Sequence, residues 1–252
     1  MKKKMILTFD LEFWFNSGFL KEYALQTDSA QSDYISESIE PILKLLQKNG
    51  HRATFFVLGK LAKKYPQLIK KIHDEGHEIA SHGYSHRTLE DLGQKCSEDE
   101  IVLCQEILKD IAGETPKGFR APNFSLNKKT PWAKEILEKN FLYDSSMHPI
   151  FTKKVAFGIK EIYPSLGGFY FRVLPLKIYI FFVIHFSRNK IPVLYFHPNE
   201  LFEFMPKIED GPWFKRKIKY LGTKNAWKKF QRLLNYFEFI SIRQYLNENT
   251  AD

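Results

Sequence analysis

Two histidines four residues apart are the strongest chemical signal in this chain of 252 residues. His82 and His86 stand in the stretch SHGYSH at residues 81–86, directly after a short run that is typical of a strand. If the stretch is helical, positions i and i+4 share one face, and both imidazoles point at one place. Imidazole is a common ligand of zinc and similar metals, and a two-histidine site needs a third ligand, usually a carboxylate. The competing interpretation is a pair of ordinary histidines at the end of a strand.

Other reactive side chains lie at or just past the ends of predicted strands. Short apolar runs predict strands over residues 5–9, 53–58, 77–81, 118–121, 141–143, 192–196 and 237–241. Helical spacing of apolar residues predicts helices over 35–46, 61–75, 97–112, 130–140, 176–186 and 226–236. This alternation favours an α/β fold with a parallel sheet, which places its site at the carboxyl ends of the strands. Seven residues fall there: Asp10, Glu12, His82, His86, Arg120, Asp144 and His197.

Three segments carry more specific structural predictions. Ser97 and Glu100 form a capping-box signature, so a helix is expected to begin there. Residues 145–170 show no clear period and predict a long irregular loop, and the Pro- and Trp-containing segment before Ala226 is also expected to be a loop. Residues 176–186 favour a helix, although their aromatic and β-branched content leaves a strand open.

Length and composition predict one globular domain over residues 1–252. The length matches the roughly 250 residues of an α/β barrel, and an apolar fraction of 44% with 23 Phe argues against disorder. The formal net charge of +9 suits an anionic partner such as an acidic glycan, a nucleic acid or anionic lipid. Because no nucleic-acid-binding motif accompanies this charge, we expect no nucleic-acid partner.

Neither a disulfide nor a targeting segment is expected. Cys96 and Cys104 are eight apart in a predicted helix, which separates their Cα atoms by roughly 12 Å, too far for a disulfide. Both are therefore interpreted as reduced packing residues. The basic N-terminus lacks the apolar core of a signal peptide, and the most apolar run, 178–186, is too short to span a membrane. The predicted location is cytoplasmic.

Six motifs follow one another in an order that resembles a known family. They are TFDLE at 8–12, ATFFVLG at 53–59, GHEIASHGYSH at 76–86, FRAPNFS at 119–125, YDSS at 143–146 and LYFHP at 194–198. Together they resemble the polysaccharide deacetylases, carbohydrate esterase family 4, which share the nodulation-type deacetylase domain. The resemblance is greatest to the branch associated with exopolysaccharide systems, where Asp-x-Glu replaces the usual Asp-Asp pair.

The resemblance implies a distorted, TIM-like (β/α)₇ barrel and metal-dependent removal of acetyl groups, usually from N-acetylated sugars. By position, His82 and His86 are two metal ligands. The family's third ligand falls on Leu11, which cannot bind a metal. Because residues i and i+2 of a strand face the same side, Glu12 is the expected replacement. Such a ligand set favours Zn²⁺, with Co²⁺, Ni²⁺, Mn²⁺ and Fe²⁺ as alternatives.

The same resemblance assigns catalytic roles. Asp10 is expected to accept a proton from a metal-activated water, and Arg120 to hold Asp10 ionised. His197 is expected to protonate the leaving amine, with Asp144 orienting its ring. The position that supplies a backbone N–H to the oxyanion falls on Asn123, where many members have Tyr.

Substrate contacts and partners are less specified by the motifs. Trp14 or Tyr84 is predicted to offer a stacking face for a sugar. A basic C-terminal region is interpreted either as a solvated face or as a patch for an anionic glycan or for lipid-linked phosphates, which would allow peripheral membrane contact. Its residues are Lys215, Arg216, Lys217, Lys219, Lys224, Lys228 and Lys229.

Three functions remain open at this stage. The first is an N-deacetylase acting on a surface polysaccharide or its lipid-linked precursor. The second is a hydrolase of a small non-peptide amide, which the same residues would serve. The third is an inactive glycan-binding barrel. The joint presence of five reactive residues favours an enzyme, because a binding protein would not need them all: Asp10, His82, His86, Arg120 and His197.

Overall fold

A curled sheet of parallel strands forms the centre of the molecule. The computed structural model describes residues 2–16, 34–147, 158–187, 190–203, 207–208 and 210–249. Within these ranges the strands run in the order β6-β5-β4-β3-β2-β1-β7, and β8 also pairs with β1. The strands are β1 Lys4–Leu11, β2 Thr54–Val57, β3 Glu78–Ser81, β4 Gly118–Phe119, β5 Tyr143–Asp144, β6 Lys160–Glu161, β7 Val193–Phe196 and β8 Glu238–Ile240.

Helices lie between most successive strands in the described parts of the chain. Beyond β6, the Ser165 N–H donates to the Val193 carbonyl of β7 at 2.7 Å, so the chain bridges the two edges of the curl. The predicted α/β fold is therefore confirmed, as a half-barrel consistent with a distorted (β/α)₇ barrel. The helices are α1 Ile35–Lys48, α2 Gly59–Lys64, α3 Pro66–Asp74, α4 Leu89–Ala112, α5 Ala133–Asn140, α6 Gly168–Val173, α7 Leu176–His185, α8 Trp213–Tyr220, α9 Thr223–Tyr236 and α10 Ile242–Asn249.

Both faces of the central strand β1 are buried, one apolar and the other partly polar. Leu7, Phe9 and Leu11 belong to the largest buried apolar cluster. Because side chains alternate along a strand, Thr8 and Asp10 point to the opposite side. The apolar face anchors the strand, and the polar face is thereby held at a fixed position inside the curl.

Three element predictions are wrong in detail. Helix α4 begins at Leu89, where the Thr88 hydroxyl accepts from the Asp91 N–H, and it is kinked at Gly93, so the helix does not start at Ser97. The segment expected to be a loop before Ala226 contains α8. Residues 145–170 contain β6 and the start of α6, while 148–157 lie outside the described residues. The favoured helix over 176–186 is confirmed as α7.

Both cysteines are free thiols, as predicted. Cys104 is buried under β2 and β3, where burial raises the pKa of its thiol to about 11. Cys96 is exposed, so the packing role expected for it is wrong. In the described parts of the chain, no helix combines the length and apolarity that crossing a membrane requires.

Candidate active site

Three buried side chains converge at the carboxyl ends of β1 and β3. Glu12 follows β1, and His82 and His86 follow β3. One potential ligand atom from each lies within 4.8 Å of the others. The Glu12 Oε2 atom contacts His86 Nε2 and lies 4.0 Å from His82 Nε2. Two imidazoles and a carboxylate are a ligand set that proteins use for divalent metal ions, so these three residues are a candidate metal site.

A loop, and not a helix, brings the two histidines together. Residues 82–88 form no helix, and Gly83 and His86 adopt left-handed backbone conformations with φ of 73° and 64°. The Glu100 carboxylate of α4 holds this loop by accepting from the Ser85 N–H and hydroxyl, at 3.0 and 2.7 Å. The helical interpretation of the histidine spacing is therefore wrong, although the convergence of the two rings is confirmed by a centroid distance of 5.6 Å.

The hydrogen bonds around the three candidate ligands fit a cation. His82 Nδ1 donates to the Arg120 carbonyl at 2.7 Å, which leaves the Nε2 lone pair facing Glu12. Burial lowers the pKa of His82 to about 4, so this ring is neutral. The buried Glu12 carboxylate lies against the Nε2 atoms of His86 and His197 and not against backbone or hydroxyl donors of the described residues, and within these residues His86 Nδ1 has no hydrogen-bond partner. Buried polar atoms are costly without partners, and a bound cation would satisfy the carboxylate.

Asp10 is held by a completely buried arginine. Arg120 Nη1 donates to Asp10 Oδ1 at 2.5 Å and to the Thr8 hydroxyl at 3.1 Å. The other donors of Arg120 go to Ser145, whose carbonyl accepts from Nε and whose hydroxyl accepts from Nη2. Burial alone would raise the pKa of Asp10, but the guanidinium and the neighbouring imidazoles lower it below its ordinary value. The predicted Asp10–Arg120 pair is therefore present, with a fixed orientation.

His197 faces both carboxylates from the end of β7. Its Nε2 atom lies 3.3 Å from Glu12 Oε1 and 4.0 Å from Asp10 Oδ2. Its Nδ1 atom lies 3.1 Å from Glu200 Oε2, and the same oxygen accepts the His197 backbone N–H at 3.0 Å. Burial opposes protonation of the ring, but Glu12 and Glu200 together raise the pKa of His197.

The predicted pairing of Asp144 with His197 is wrong, because Glu200 occupies that role. The Asp144 carboxylate accepts from the Ser146 N–H at 2.8 Å and from its hydroxyl at 2.6 Å. The Ser146 hydroxyl in turn accepts the Ala121 N–H at 2.7 Å. Asp144 therefore supports the turn after Arg120 and does not contact His197 in the described structure.

The buried position of Asp144 predicts a pH-dependent stability. Burial raises the pKa of Asp144 to about 7, whereas in an unfolded chain it is about 4. Between these values the unfolded state loses a proton that the folded state keeps, so the free energy of unfolding falls as the pH rises to about 7. In urea denaturation, the free energy of unfolding of the wild type should fall between about pH 5 and about pH 7. This fall should be about 2 kcal/mol larger than the fall for Asp144→Asn. Equal pH dependence of the two proteins would contradict this assignment.

A cavity of about 230 Å³ connects these groups. Asn123 lies at its wall, as predicted, and both Asn123 and Phe124 have left-handed backbones with φ of 54° and 52°. Two consecutive non-glycine residues in this region are strained, and such strain concentrates at functional sites. The lining residues are Asp10, Glu12, His82, His86, Ala121, Asn123, Phe124, Tyr195 and His197.

The aromatic contacts differ from those predicted. Trp14 is buried in the main apolar cluster, and Tyr84 packs against Gly59 on α2, so neither offers a face to the cavity. The cavity aromatics are Phe124 and Tyr195, whose ring centroids are 5.2 Å apart. Strand alternation was the signal for Tyr195, because it stands two residues before His197 and therefore on the same side of β7.

A protein-family model described as polysaccharide deacetylase matches residues 2–140, more than half of the chain. The chain belongs to the polysaccharide deacetylase family. A second model, a domain of unknown function (DUF3473), matches residues 144–247. Family membership confirms the resemblance to the polysaccharide deacetylases, while the exopolysaccharide-associated branch stays a prediction.

Relatives and solved structures agree with this placement in the polysaccharide deacetylase family. The chain is 38% identical over 102 residues to a peptidoglycan-N-acetylglucosamine deacetylase of Bacillus cereus, covering 40% of this chain and 36% of the relative. It is 31% identical over 157 residues to a peptidoglycan deacetylase of Helicobacter pylori, covering 60% and 53%. The chain thus spans only about a third to a half of these relatives. The fold of Bacillus subtilis peptidoglycan deacetylase PdaC superposes with a TM-score of 0.58 at 17% identity, covering 99% of this chain and 93% of that one.

In this member of the polysaccharide deacetylase family, Glu200 is the residue that motif reasoning missed. It stands three positions after His197 and closes a capping box with it, so the pattern His-Pro-x-Glu was the available signal. Gly168 lies so close that a Cβ there would be 2.1 Å from Glu200 Oε2. The carboxylate is therefore confined between the His197 ring and the start of α6.

We expect Glu200→Gln to lower kcat on the order of tenfold with little change in KM, because the amide holds the His197 ring less firmly. Steady-state kinetics on an acetylated sugar would measure this split. The matched control is Glu203→Gln, three residues further along the chain. A metal content equal to that of the wild type would exclude a general loss of the site, and an unchanged kcat would contradict the positioning role.

Proposed function

We propose that the chain is a metal-dependent hydrolase that removes N-acetyl groups from a carbohydrate. One observation carries this proposal. Within a single cavity, a carboxylate, Asp10, and an imidazole, His197, lie beside the three candidate ligands Glu12, His82 and His86. A cation, a base and an acid together can hydrolyse an unactivated amide.

Glu12, His82 and His86 would hold the cation. The two imidazoles and one carboxylate suit Zn²⁺, and also Co²⁺, Ni²⁺, Mn²⁺ or Fe²⁺. When bound, a divalent cation lowers the pKa of water and polarises a carbonyl oxygen. This assignment is supported by the buried carboxylate of Glu12, which lies against the Nε2 atoms of His86 and His197 and not against backbone or hydroxyl donors of the described residues.

Asp10 and His197 carry out the two proton transfers of the reaction. Asp10, ionised and oriented by Arg120, accepts the proton of the water that adds to the acetyl carbon. The developing oxyanion faces the backbone at Asn123, where a peptide N–H would stabilise it. His197 donates a proton to the departing nitrogen as the C–N bond breaks, which releases acetate and a free amine. Glu200 holds His197 in the orientation for this transfer.

The substrate class is inferred from the family and from the wall of the cavity. Phe124 and Tyr195 present aromatic faces beside the reactive groups, and sugar rings stack on such faces. The relatives named above act on peptidoglycan by their names. For this chain we propose a surface polysaccharide, an exopolysaccharide or its lipid-linked precursor, because Asp10 and Glu12 form the Asp-x-Glu pattern.

We further propose that residues 1–252 act as one catalytic domain, although two family models divide the chain. This is supported by β1, which pairs with β2 from the first matched segment and with β7 and β8 from the second. The cavity is lined from both segments, by Asp10 and Glu12 on one side and Tyr195 and His197 on the other. Neither segment alone would contain the complete set of reactive groups.

Release of acetate from an acetylated sugar tests the proposed function. The protein, loaded with Zn²⁺ or Co²⁺, would be incubated with N-acetylglucosamine oligomers, and both acetate and new primary amines would be measured. Equal amounts of the two products are expected. Acetate without amine would indicate an O-acetyl esterase, and activity only on small ureides or amides would favour the small-amide hydrolase. Tight binding of the oligomers with no product would favour the glycan-binding barrel.

A further inference from the structure

Exposed apolar side chains are concentrated on three helices outside the cavity. Fourteen large apolar residues are exposed in the described structure. Ten of them lie on α6, α7 and α8 or directly after α7 or α8. Phe181 is 60% exposed and Trp213 is 68% exposed. We call these ten residues the apolar patch: Phe169, Val173, Ile178, Phe181, Ile184, Phe186, Trp213, Phe214, Ile218 and Leu221.

Helices α7 and α8 are not packed like ordinary surface helices. In α7, Tyr179 and Val183 face the core, yet the outward positions Phe181 and Ile184 are also apolar. In α8, no residue is buried, although Trp213 and Phe214 open the helix. An exposed apolar area of this extent marks an interaction surface.

The charge on helices α6 to α9 is entirely positive. Helices α6 to α9 contain no Asp or Glu. Their ten basic residues outnumber the net charge of +9 of the whole chain, so the other parts of the protein nearly balance. The basic residues are Arg172, Lys177, Lys215, Arg216, Lys217, Lys219, Lys224, Lys228, Lys229 and Arg232.

Contacts join α6 to α8 and α9 beside the cavity. Arg172 of α6 donates to the carbonyls of Lys219 and Leu221, at 2.6 and 3.2 Å, and so joins α6 to the end of α8. The Lys229 ammonium of α9 contacts backbone carbonyls at the end of α6. Arg172 Nη2 also lies 3.6 Å from Glu200 Oε1, so the Arg172 side chain links these helices to Glu200, the residue that contacts His197.

We propose that α6, α7 and α8 dock on an anionic lipid bilayer. The apolar patch enters the headgroup region, and exposed basic side chains of α7, α8 and α9, such as Lys177, Lys217 and Lys224, contact the lipid phosphates. A second copy of this chain is a poor occupant, because two surfaces of the same positive charge would repel each other. A nucleic acid would use the basic residues but would leave the apolar patch in water.

Vesicle sedimentation tests this docking separately from catalysis. The full chain would be mixed with vesicles of phosphatidylcholine, either alone or containing phosphatidylglycerol. We expect binding to the anionic vesicles that weakens with added salt. The double variant Phe181→Ser/Trp213→Ser should bind on the order of tenfold more weakly or worse, because both side chains lose their burial in lipid. The triple variant Lys177→Gln/Lys217→Gln/Lys224→Gln should lose a similar factor.

Matched controls lie elsewhere on the surface. Leu142→Ser replaces an apolar side chain that is 63% exposed outside the apolar patch, and Lys44→Gln/Lys48→Gln removes exposed charges from α1. Both controls should bind like the wild type, and all variants should keep their thermal stability and their activity on a soluble substrate. The proposal is overturned if the wild type ignores anionic vesicles, or if the Phe181→Ser/Trp213→Ser variant binds them normally. Binding of DNA in place of vesicles would also overturn it.

Discussion

Asp10→Asn is expected to lower the rate of deacetylation about a thousandfold, because a positioned base contributes on the order of a hundredfold to ten-thousandfold. The substitution is nearly isosteric, and its amide oxygen still accepts a hydrogen bond from Arg120. The candidate ligands Glu12, His82 and His86 are untouched. The expected defect is therefore confined to kcat, while metal content stays at the wild-type level. Acetate release measured at substrate saturation would report it.

The melting temperature of Asp10→Asn, and its activity at a temperature where it is folded, separate loss of the base from loss of stability. The substitution leaves Arg120 without its carboxylate partner in a buried position, so a lower melting temperature is expected. Activity must therefore be compared at a temperature where the variant remains folded. A rate within about tenfold of the wild type would mean that Asp10 is not the base.

His197→Gln is expected to reduce deacetylation at least about a hundredfold, because the departing amine then leaves without a proton donor. The loss should depend on the leaving group. An activated acetate ester expels an anion that needs no proton, so its hydrolysis should fall far less. Comparison of the two substrates isolates the acid role from any general damage to the cavity.

His51→Gln is the matched control for His197→Gln, since His51 is also buried but contacts the Leu234 carbonyl and the Phe239 N–H, away from the cavity. This variant should keep full activity while folded. An equal loss by His197→Gln on the amide and on the activated ester would contradict the acid role and would favour a role in substrate binding.

The sequence was sufficient to locate the reactive groups because their positions depend on local rules. The family resemblance pointed to the motif at Asp10, and strand alternation then placed Glu12 on the same side as Asp10; both line the cavity. The motif at Arg120 likewise predicted its pairing with Asp10. By contrast, the conformation between His82 and His86 depends on two left-handed residues and on Glu100 from a distant helix. Residue spacing alone does not reveal such a loop.

Long-range packing decided the predictions that failed. Trp14 is close to Glu12 in sequence, but the chain turns it into the main apolar cluster. Asp144 lies in the YDSS motif, but its carboxylate accepts hydrogen bonds from Ser146 and does not contact His197. Glu200 replaces it because a short turn after β7 folds the carboxylate back onto the ring. Each outcome depends on packing or hydrogen bonding with residues outside the motif, which an isolated motif does not contain.

The central claim is that Glu12, His82 and His86 bind one divalent metal ion, and metal content per chain tests it most directly. Elemental analysis would compare the wild type with Glu12→Ala and His82→Ala after loading with Zn²⁺ and removal of free ion. We expect about one ion per chain in the wild type and a large loss of metal in both variants. Loss in His82→Ala alone would remove Glu12 from the ligand set. A wild-type protein that binds neither Zn²⁺ nor Co²⁺ would contradict the hydrolase assignment.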